Sequence, residues 1–311
     1  MEASSLIKKI ALDVKAKKEL SGLSNEFVSE KILQVFKKNP KLEKAFVKKI
    51  NSLGKIDNDI DKKTYEKFTR SAEFKEVVSS CRKELREVYG VFISSHFDER
   101  KKLLEELKKS ITSSKDDRNN IHSLELHNKI LALHHSTKER LPYYSNVYMR
   151  IFEKTGIPKT IVDLACGLNP LSYPYIHAKP DYYAYDLGAE DMEFVSEYFK
   201  IKGIKGEAKA VDLLSEASKD IDIAELTKNK DITFLFKAVD SLEAAKRHSS
   251  KALLSSISSK FVVVSFATKS IGGRKIIGKQ KRAWFDKFLA KQGLLYSMFE
   301  IPNENFYIIK K

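Results

Sequence analysis

Ile161-Val162-Asp163-Leu164-Ala165-Cys166-Gly167-Leu168-Asn169-Pro170 is the stretch of sequence that decides the fold, because it joins an apolar run of strand length to a turn with one glycine. Gly167 lacks a Cβ, so the backbone there can pass close to a ligand. Asp163 can accept hydrogen bonds from loop amides or from a ligand's ammonium group. The stretch predicts a strand followed by a nucleotide-binding loop. An ordinary strand-to-helix turn remains the alternative, since Asn169 stands where a second glycine is common.

Two further acidic residues follow at the ends of later predicted strands. Asp186 comes about twenty residues after the first strand, where a carboxylate can hold both hydroxyls of a ribose. Asp212 ends the next strand, where it can accept a hydrogen bond from an adenine amino group while Leu213 packs on the ring. Each acid alone would more simply be a helix cap or turn residue. Together with Asp163 they predict a binding site for S-adenosylmethionine.

From Thr160 onward, short β-rich runs alternate with helical stretches, which predicts a parallel sheet covered on both faces. The last two strands, joined by a short Pro-Asn-Glu-Asn turn, are expected to form a hairpin. These features predict an α/β fold of the class I methyltransferase (Rossmann-like) type, with seven strands and a terminal β-hairpin. The predicted strands are Thr160 to Leu164, Tyr182 to Tyr185, Gly206 to Val211, Ile232 to Phe236, Phe261 to Phe266, Leu294 to Ile301 and Phe306 to Ile309.

The first 120 residues have a different pattern. They contain few glycines and one proline, and apolar residues such as Phe27, Ile32 and Phe36 recur at helical spacing. The polar run over 112–120 predicts a loop between domains. We therefore expect an all-helical N-terminal domain over 1–120 and a methyltransferase domain over 121–311.

The charge balance indicates a polyanionic partner. The 311 residues carry a formal net charge of +15, and the charge density is higher in the helical region. Nucleic acid is the commonest polyanion for such a chain, so the helical domain is predicted to bind RNA. Lysine-rich helices with a solvated face are the simpler alternative. The candidate phosphate contacts are Lys48, Lys49, Lys62 and Lys63.

Other sequence features argue against several protein classes. Cys81 and Cys166 form no disulfide framework, which suits a reducing cytosol and predicts a cytoplasmic protein. The longest apolar run, around Phe261 to Val264, has the length of a strand, so no membrane span is expected. His134 and His135 are adjacent but have no second ligand pair at a suitable spacing, so no metal site is expected.

Three blocks resemble the aminoglycoside-resistance ribosomal RNA methyltransferases, a family that modifies N7 of a guanine in the decoding region of small-subunit rRNA. The resemblance includes Trp284-Phe285-Asp286 and covers the C-terminal two thirds of the chain. The N-terminal region resembles the family only in being helical. The blocks are His134 to Pro142, Asp163 to Pro170, and Ser265 to Arg274.

The resemblance implies roles for matching positions. Arg140 would hold the methionine carboxylate of the cofactor through a bidentate pair, with a salt bridge to a nearby acid such as Glu139 as the structural alternative. Lys237, Lys269 and Arg274 would face the RNA. The implied cofactor-binding set is His135, Arg140, Asp163, Ala165, Gly167, Asn169, Asp186, Asp212 and Leu213.

No catalytic proton-transfer residue is expected from this chemistry. Guanine N7 has a lone pair and no proton, so methyl transfer needs alignment and exclusion of water, with no compulsory base. The chain departs from the family on the target side, where Asp240 replaces a proline and Lys269 an arginine. These changes leave open the modified nucleotide, the choice between naked rRNA and an assembled small subunit, and a resistance or housekeeping role. The alternatives are a methyltransferase for another RNA or base nitrogen, and a non-catalytic rRNA-binding assembly factor.

Overall fold

The computed structural model describes residues 5–53, 61–113, 121–214, 222–269, 276–277 and 282–311, and it divides into two compact units, Met1–Val91 and Phe92–Lys311. This division falls earlier in the chain than the predicted boundary after residue 120. The helix Arg100–Ser113 belongs to the second unit because its Leu104 and Leu107 lie in the same hydrophobic core as Ile161 of the first strand. Part of the predicted interdomain loop, Thr112 and Ser113, is therefore helical.

The described part of the first unit is built from amphipathic helices. Asn39 ends α2 and caps α3, since its Oδ1 accepts a hydrogen bond from the amide of Leu42 at 3.2 Å. Pro40 occupies the first turn of α3, where its missing N–H costs nothing. Asn39 and Pro40 therefore separate α2 from α3. The helices are α1 (Ser5–Lys15), α2 (Asn25–Lys38), α3 (Pro40–Asn51), α4 (Lys62–Thr69) and α5 (Ala72–Val88).

The second unit places helices around one sheet. Its helices are α6 (Arg100–Ser113), α7 (Ile121–Leu131), α8 (His135–Arg140), α9 (Tyr144–Thr155), α10 (Ala189–Lys202), α11 (Ile223–Thr227), α12 (Val239–Ala245), α13 (Ser249–Ser256) and α14 (Ala283–Lys291). Among the described residues, none of the helices is both long and apolar enough to cross a membrane.

Within the described ranges the sheet has seven strands, in the order β3-β2-β1-β4-β5-β7-β6. Strands β1 to β5 run parallel to one another, β7 runs antiparallel to β5, and β6 pairs antiparallel with β7. The predicted α/β fold with a terminal hairpin is confirmed. The strands are β1 (Thr160–Leu164), β2 (Asp181–Asp186), β3 (Gly206–Ala210), β4 (Ile232–Phe236), β5 (Phe261–Ala267), β6 (Leu295–Ile301) and β7 (Glu304–Lys310).

The hairpin turn is tighter than the four residues predicted. Only Pro302 and Asn303 lie between β6 and β7, and Asn303 has a φ of 67°, a conformation that asparagine tolerates better than most residues. Glu304 and Asn305 therefore belong to β7, where they pair with Ala267 and Phe266 of β5. Their polarity resembles a turn in sequence, but it places a carboxylate at the carboxyl edge of the parallel strands.

The substitution Gly206→Ala tests the β2–β3 edge of the sheet. Gly206 has a φ of 130°, and a Cβ there would lie 1.9 Å from the carbonyl oxygen of Tyr182. Because that atom is backbone, the strand itself would have to shift, and we expect the free energy of unfolding in urea to fall by about 3 kcal/mol or more.

Gly203→Ala is the matched control. Gly203 also has a positive φ, of 66°, but nothing lies within 4 Å of its Cβ position. Left-handed strain alone should cost about 1–2 kcal/mol. Equal decreases in the free energy of unfolding of the two variants would show that the contact with Tyr182 does not constrain β3.

Candidate active site at the carboxyl edge of the sheet

Asp163 lies at the centre of the site as a fully buried carboxylate near the end of β1. Its Oδ2 accepts hydrogen bonds from the hydroxyl of Tyr182 at 2.6 Å and from Nδ2 of Asn169 at 2.8 Å. Its Oδ1 is buried and has no hydrogen-bond partner among the described residues. Burial raises the pKa of Asp163 to about 6. A buried carboxylate with an unused acceptor fits a cationic donor such as an ammonium group.

Asn169 connects Asp163 to the next residues of the site. It is 2 % exposed, and its Oδ1 accepts hydrogen bonds from Nη1 of Arg140 and from the hydroxyl of Tyr144, both at 3.0 Å. Its Nδ2 donates to Asp163. At a position where a second glycine is common, the asparagine thus links helices α8 and α9 to β1.

Arg140 is paired with Glu304, and both side chains are 1 % exposed. Nε of Arg140 donates to both carboxylate oxygens of Glu304 at 3.2 Å, and Nη2 donates to Oε1 at 2.7 Å. The guanidinium also lies 4.7 Å from the ring centroid of Phe236. Although burial opposes the charged form, Glu304 raises the pKa of Arg140 above its ordinary value. The structural alternative, a salt bridge between Arg140 and an acid, is therefore present, with Glu304 as the acid in place of the example Glu139.

Lys237 pairs with Glu139 instead. Its Nζ lies 2.6 Å from Oε2 of Glu139 and 3.4 Å from Oε2 of Glu304, and the residue is only 8 % exposed. Its backbone has a φ of 56°, and its amide donates to the hydroxyl of Ser265 at 3.0 Å. The ammonium group predicted to face RNA is thus already held between two carboxylates, and its role toward RNA stays a prediction.

Asp186 fixes the loop after β1. Its Oδ2 accepts a hydrogen bond from the amide of Gly167 at 2.8 Å, and its Oδ1 accepts from the amides of Leu187 at 2.7 Å and Gly188 at 3.3 Å. Unlike Asp163, it is partly exposed. Burial raises its pKa, while these three amides act in the opposite direction. The carboxylate shapes the glycine loop and still faces the surface.

Gly167 is required where the loop meets His134. It has a φ of 51°, and a Cβ there would lie 3.0 Å from the imidazole ring of His134. That ring stacks on Phe92 with centroids 5.6 Å apart, and burial lowers the pKa of His134 to about 3, so it is neutral at pH 7. His135, the histidine predicted to bind the cofactor, begins α8 and is partly exposed. Sequence alone did not distinguish which of the two adjacent histidines meets the loop.

The other predicted residues are distributed between the two units. Asp212 and Leu213 follow β3 and are partly exposed, and Oδ1 of Asp212 accepts a hydrogen bond from the amide of Leu214 at 2.8 Å. Ala165, with a φ of 53°, adjoins the glycine loop. Lys269 is exposed after β5, and Arg274 lies outside the described residues. In the first unit, Lys48 of α3 and Lys62 and Lys63 of α4 are exposed, and Lys49 is half-buried.

Sequence reasoning missed three partners that build the site: Glu304, Tyr144 and Tyr182. Their polar groups contact residues far away in sequence, so no local spacing points to them. Cys166, within the glycine loop, is buried, and burial raises the pKa of its thiol, which makes it unreactive. No group of three potential metal ligands occurs within the described ranges.

The chain is similar to known ribosomal RNA methyltransferases. The family model described as "Ribosomal RNA methyltransferase (FmrO)" matches residues 62–309. The 16S rRNA (guanine(1405)-N(7))-methyltransferase of Micromonospora rosea is 30% identical over 239 residues, which are 76% of this chain and 83% of the relative. The enzyme of the same name from Proteus mirabilis is 28% identical over 249 residues, covering 76% of this chain and 85% of the relative.

A solved structure shares the fold. The crystal structure of the 16S rRNA methyltransferase RmtF in complex with S-adenosyl-L-homocysteine superposes with a TM-score of 0.69 at 23% identity, covering 98% of each chain. The residues matched by the family model include Asp163 and Glu304. The Micromonospora relative is similar over 76% of the chain. The chain therefore belongs to the ribosomal RNA methyltransferase family.

Proposed function

We propose that the protein transfers a methyl group from S-adenosylmethionine to N7 of a guanine in the decoding region of small-subunit rRNA. Its relatives bear the name of that reaction. The observation that carries the proposal for this chain is the buried Oδ1 of Asp163, which has no hydrogen-bond partner in the described part of the chain and lies beside the loop held by Asp186. A single orphaned anionic acceptor fits the ammonium group of a methionine moiety.

The residues at the carboxyl edge fit the cofactor. Asp163 would hold the ammonium group, Asp186 the ribose hydroxyls, and Asp212 the adenine amino group with Leu213 against the ring. Ala165 and Gly167 would bring loop backbone close to the ligand. When bound, S-adenosylmethionine supplies an activated methyl group on a sulfonium.

The proposed contact of Arg140 with the methionine carboxylate needs one further condition. The bidentate face of the guanidinium is already occupied by Glu304. Arg140 would therefore either share its remaining N–H groups with the carboxylate or act on the cofactor through Asn169, which it holds at 3.0 Å. His135 at the start of α8 and Asn169 complete the proposed methionine side.

The histidine and the cysteine beside the glycine loop are not suited to proton removal. His134 is neutral and buried, and the Cys166 thiol has a raised pKa, so neither is poised as a base at pH 7. Attack by a ring nitrogen that carries a lone pair requires no base. On the target side, Lys237, Lys269 and Arg274 are proposed to contact RNA. Lys48, Lys49, Lys62 and Lys63 of the helical region are proposed phosphate contacts, and the cytoplasm, where small subunits reside, is the proposed location.

The proposed reaction is tested with purified protein, small ribosomal subunits and tritiated S-adenosylmethionine. Borohydride-aniline treatment should cleave the rRNA at a single site in the decoding region, because N7 methylation makes the guanine labile. Label without cleavage would indicate a different base position, and binding to rRNA without label would support an assembly factor.

Asp186→Ala is the variant for the same assay. The substitution removes the carboxylate that accepts hydrogen bonds from the amide of Gly167 and from the ribose hydroxyls. Each charge-assisted hydrogen bond lost costs about 1.5–3 kcal/mol. We expect cofactor affinity in calorimetry to fall by about 100-fold, and cleavage to disappear at limiting cofactor. Asp181→Ala, a partly exposed acid at the opposite end of β2, is the control and should bind cofactor as the native protein does.

Asp163→Asn should raise the stability of the cofactor-free protein while weakening cofactor binding. Because burial raises the pKa of Asp163 from 3.8 to about 6, the native protein loses stability as the pH rises through that interval. The asparagine variant has no carboxylate to ionise and keeps its stability over this pH interval. In urea unfolding, the free energy of unfolding of the variant should equal that of the native protein at pH 4 and exceed it by about 1–3 kcal/mol above pH 6. A variant that is equally destabilised at every pH would show that the carboxylate carries no such electrostatic penalty.

A further inference from the structure

The end of the sheet opposite the site carries a row of lysines. Strands β1 to β5 all begin at this end, as the pairing of Thr160 with Asp181 and of Ile232 with Phe261 shows. A lysine lies one or two residues before each of these five strands, and the antiparallel β7 ends beside them. We call this row the basic edge; it consists of Lys205, Lys179, Lys159, Lys230, Lys260, Lys310 and Lys311, in the order of the strands across the sheet.

The sheet sets the spacing of the basic edge. Neighbouring strands lie about 4.8 Å apart, so six strands from β3 to β7 spread the row over about 24 Å. All of these side chains are exposed except that of Lys230, which is half-buried with its ammonium group 3.5 Å from the ring centroid of Tyr183. The ammonium group of Lys311 donates a hydrogen bond to the carbonyl oxygen of Leu254 at 2.9 Å. A linear row of lysines with mostly exposed side chains suits a chain of phosphates.

Two acidic residues lie within this row, Asp181 at the start of β2 and Asp231 just before β4, and they do not cancel its charge. Asp231 already has partners within the protein. Its Oδ2 accepts hydrogen bonds from the amides of Lys159 at 2.8 Å and Thr160 at 3.0 Å, and its Oδ1 accepts one from Nζ of Lys260 at 2.6 Å. It offsets one lysine charge and anchors the turns before β1 and β4. The remaining lysines leave an excess of positive charge.

Favourable interaction with helix ends does not explain why these lysines form the basic edge. Lysines in the last turn of a helix are stabilised by its dipole, as for Lys200 at the end of α10. Lys159, Lys179 and Lys205, however, lie in the turns that lead into strands and outside the helices. Their positions call for another explanation, and the high net charge of the chain favours an anionic partner.

We propose that the basic edge binds the phosphate backbone of structured RNA, as a second contact with ribosomal RNA away from the carboxyl-edge site. Ammonium groups interact with phosphates as point charges, so this surface would add affinity without reading sequence. The nature of the RNA rests on the proposed function. The contact itself is a property of this edge and is separable from methyl transfer.

The test compares two charge-matched double variants of the full chain. Lys159→Gln/Lys205→Gln removes two charges from the basic edge, and Lys251→Gln/Lys287→Gln removes two exposed charges from helices α13 and α14. Binding to small ribosomal subunits is measured by filter retention between about 50 and 200 mM salt. Each lost phosphate contact lowers the slope of log K against log salt by about 0.7–0.9.

We expect the edge variant to lower the salt slope by about 1.5 and the control variant to leave it unchanged. Equal slopes for native protein and edge variant would overturn the proposal, as would equal decreases in both variants, which would reflect net charge alone. Cofactor affinity by calorimetry and rRNA methylation by native protein are recorded in parallel. Absence of methylation by native protein would refute the proposed function, whereas an unchanged slope in an active enzyme would refute only the basic edge.

Discussion

The buried ion pair between Arg140 and Glu304 is the constraint on which the carboxyl-edge site depends. Two charges at 1 % exposure carry a large desolvation cost, and this cost is offset only when nearly every donor and acceptor is used. Here Glu304 accepts from Arg140 and Ser265 and lies 3.4 Å from the ammonium of Lys237. Apolar residues of the same volume would give comparable stability. What the pair adds is a fixed position of α8 against β7, two elements far apart in the chain.

From this pair, one hydrogen-bonded chain extends across the sheet. Arg140 holds Asn169, Asn169 holds Asp163, and Asp163 also accepts from Tyr182 of β2. The loop between β1 and Asn169 is therefore held at both ends, while Asp186 fixes its middle through the amide of Gly167. The outcome is a preorganised pair of carboxylates, one of which keeps an unused oxygen. Such preorganisation avoids reordering of side chains when a cationic ligand arrives.

The fold could be predicted from the sequence, but only some of the residues that build the site could. Strands β1 to β5 were predictable because β-rich runs alternate with helical ones, and Asp163 and Asp186 because acids at the ends of parallel strands meet at one edge. Glu304 was hidden because it follows Pro302-Asn303 and resembles a turn residue, and its partner Arg140 is 164 positions away. The division before α6 was not evident from the sequence for a similar reason, since α6 has an ordinary amphipathic pattern that does not reveal which core it joins.

The balance of charge in the site bears on the proposed reaction. Arg140 and Lys237 face Glu304 and Glu139, so this cluster at the ends of β4, α8 and β7 has two charges of each sign. Asp163 and Asp186 add two carboxylates beside the glycine loop. Methyl transfer from a sulfonium to a ring nitrogen moves positive charge and creates no anion, so an array of oxyanion donors would stabilise nothing. Alignment alone requires carboxylates that hold a cationic cofactor and a cluster without net charge that fixes their positions. Neither His134 nor Cys166 is poised as a base at neutral pH, and the proposed reaction needs none, because its acceptor nitrogen has no proton to lose.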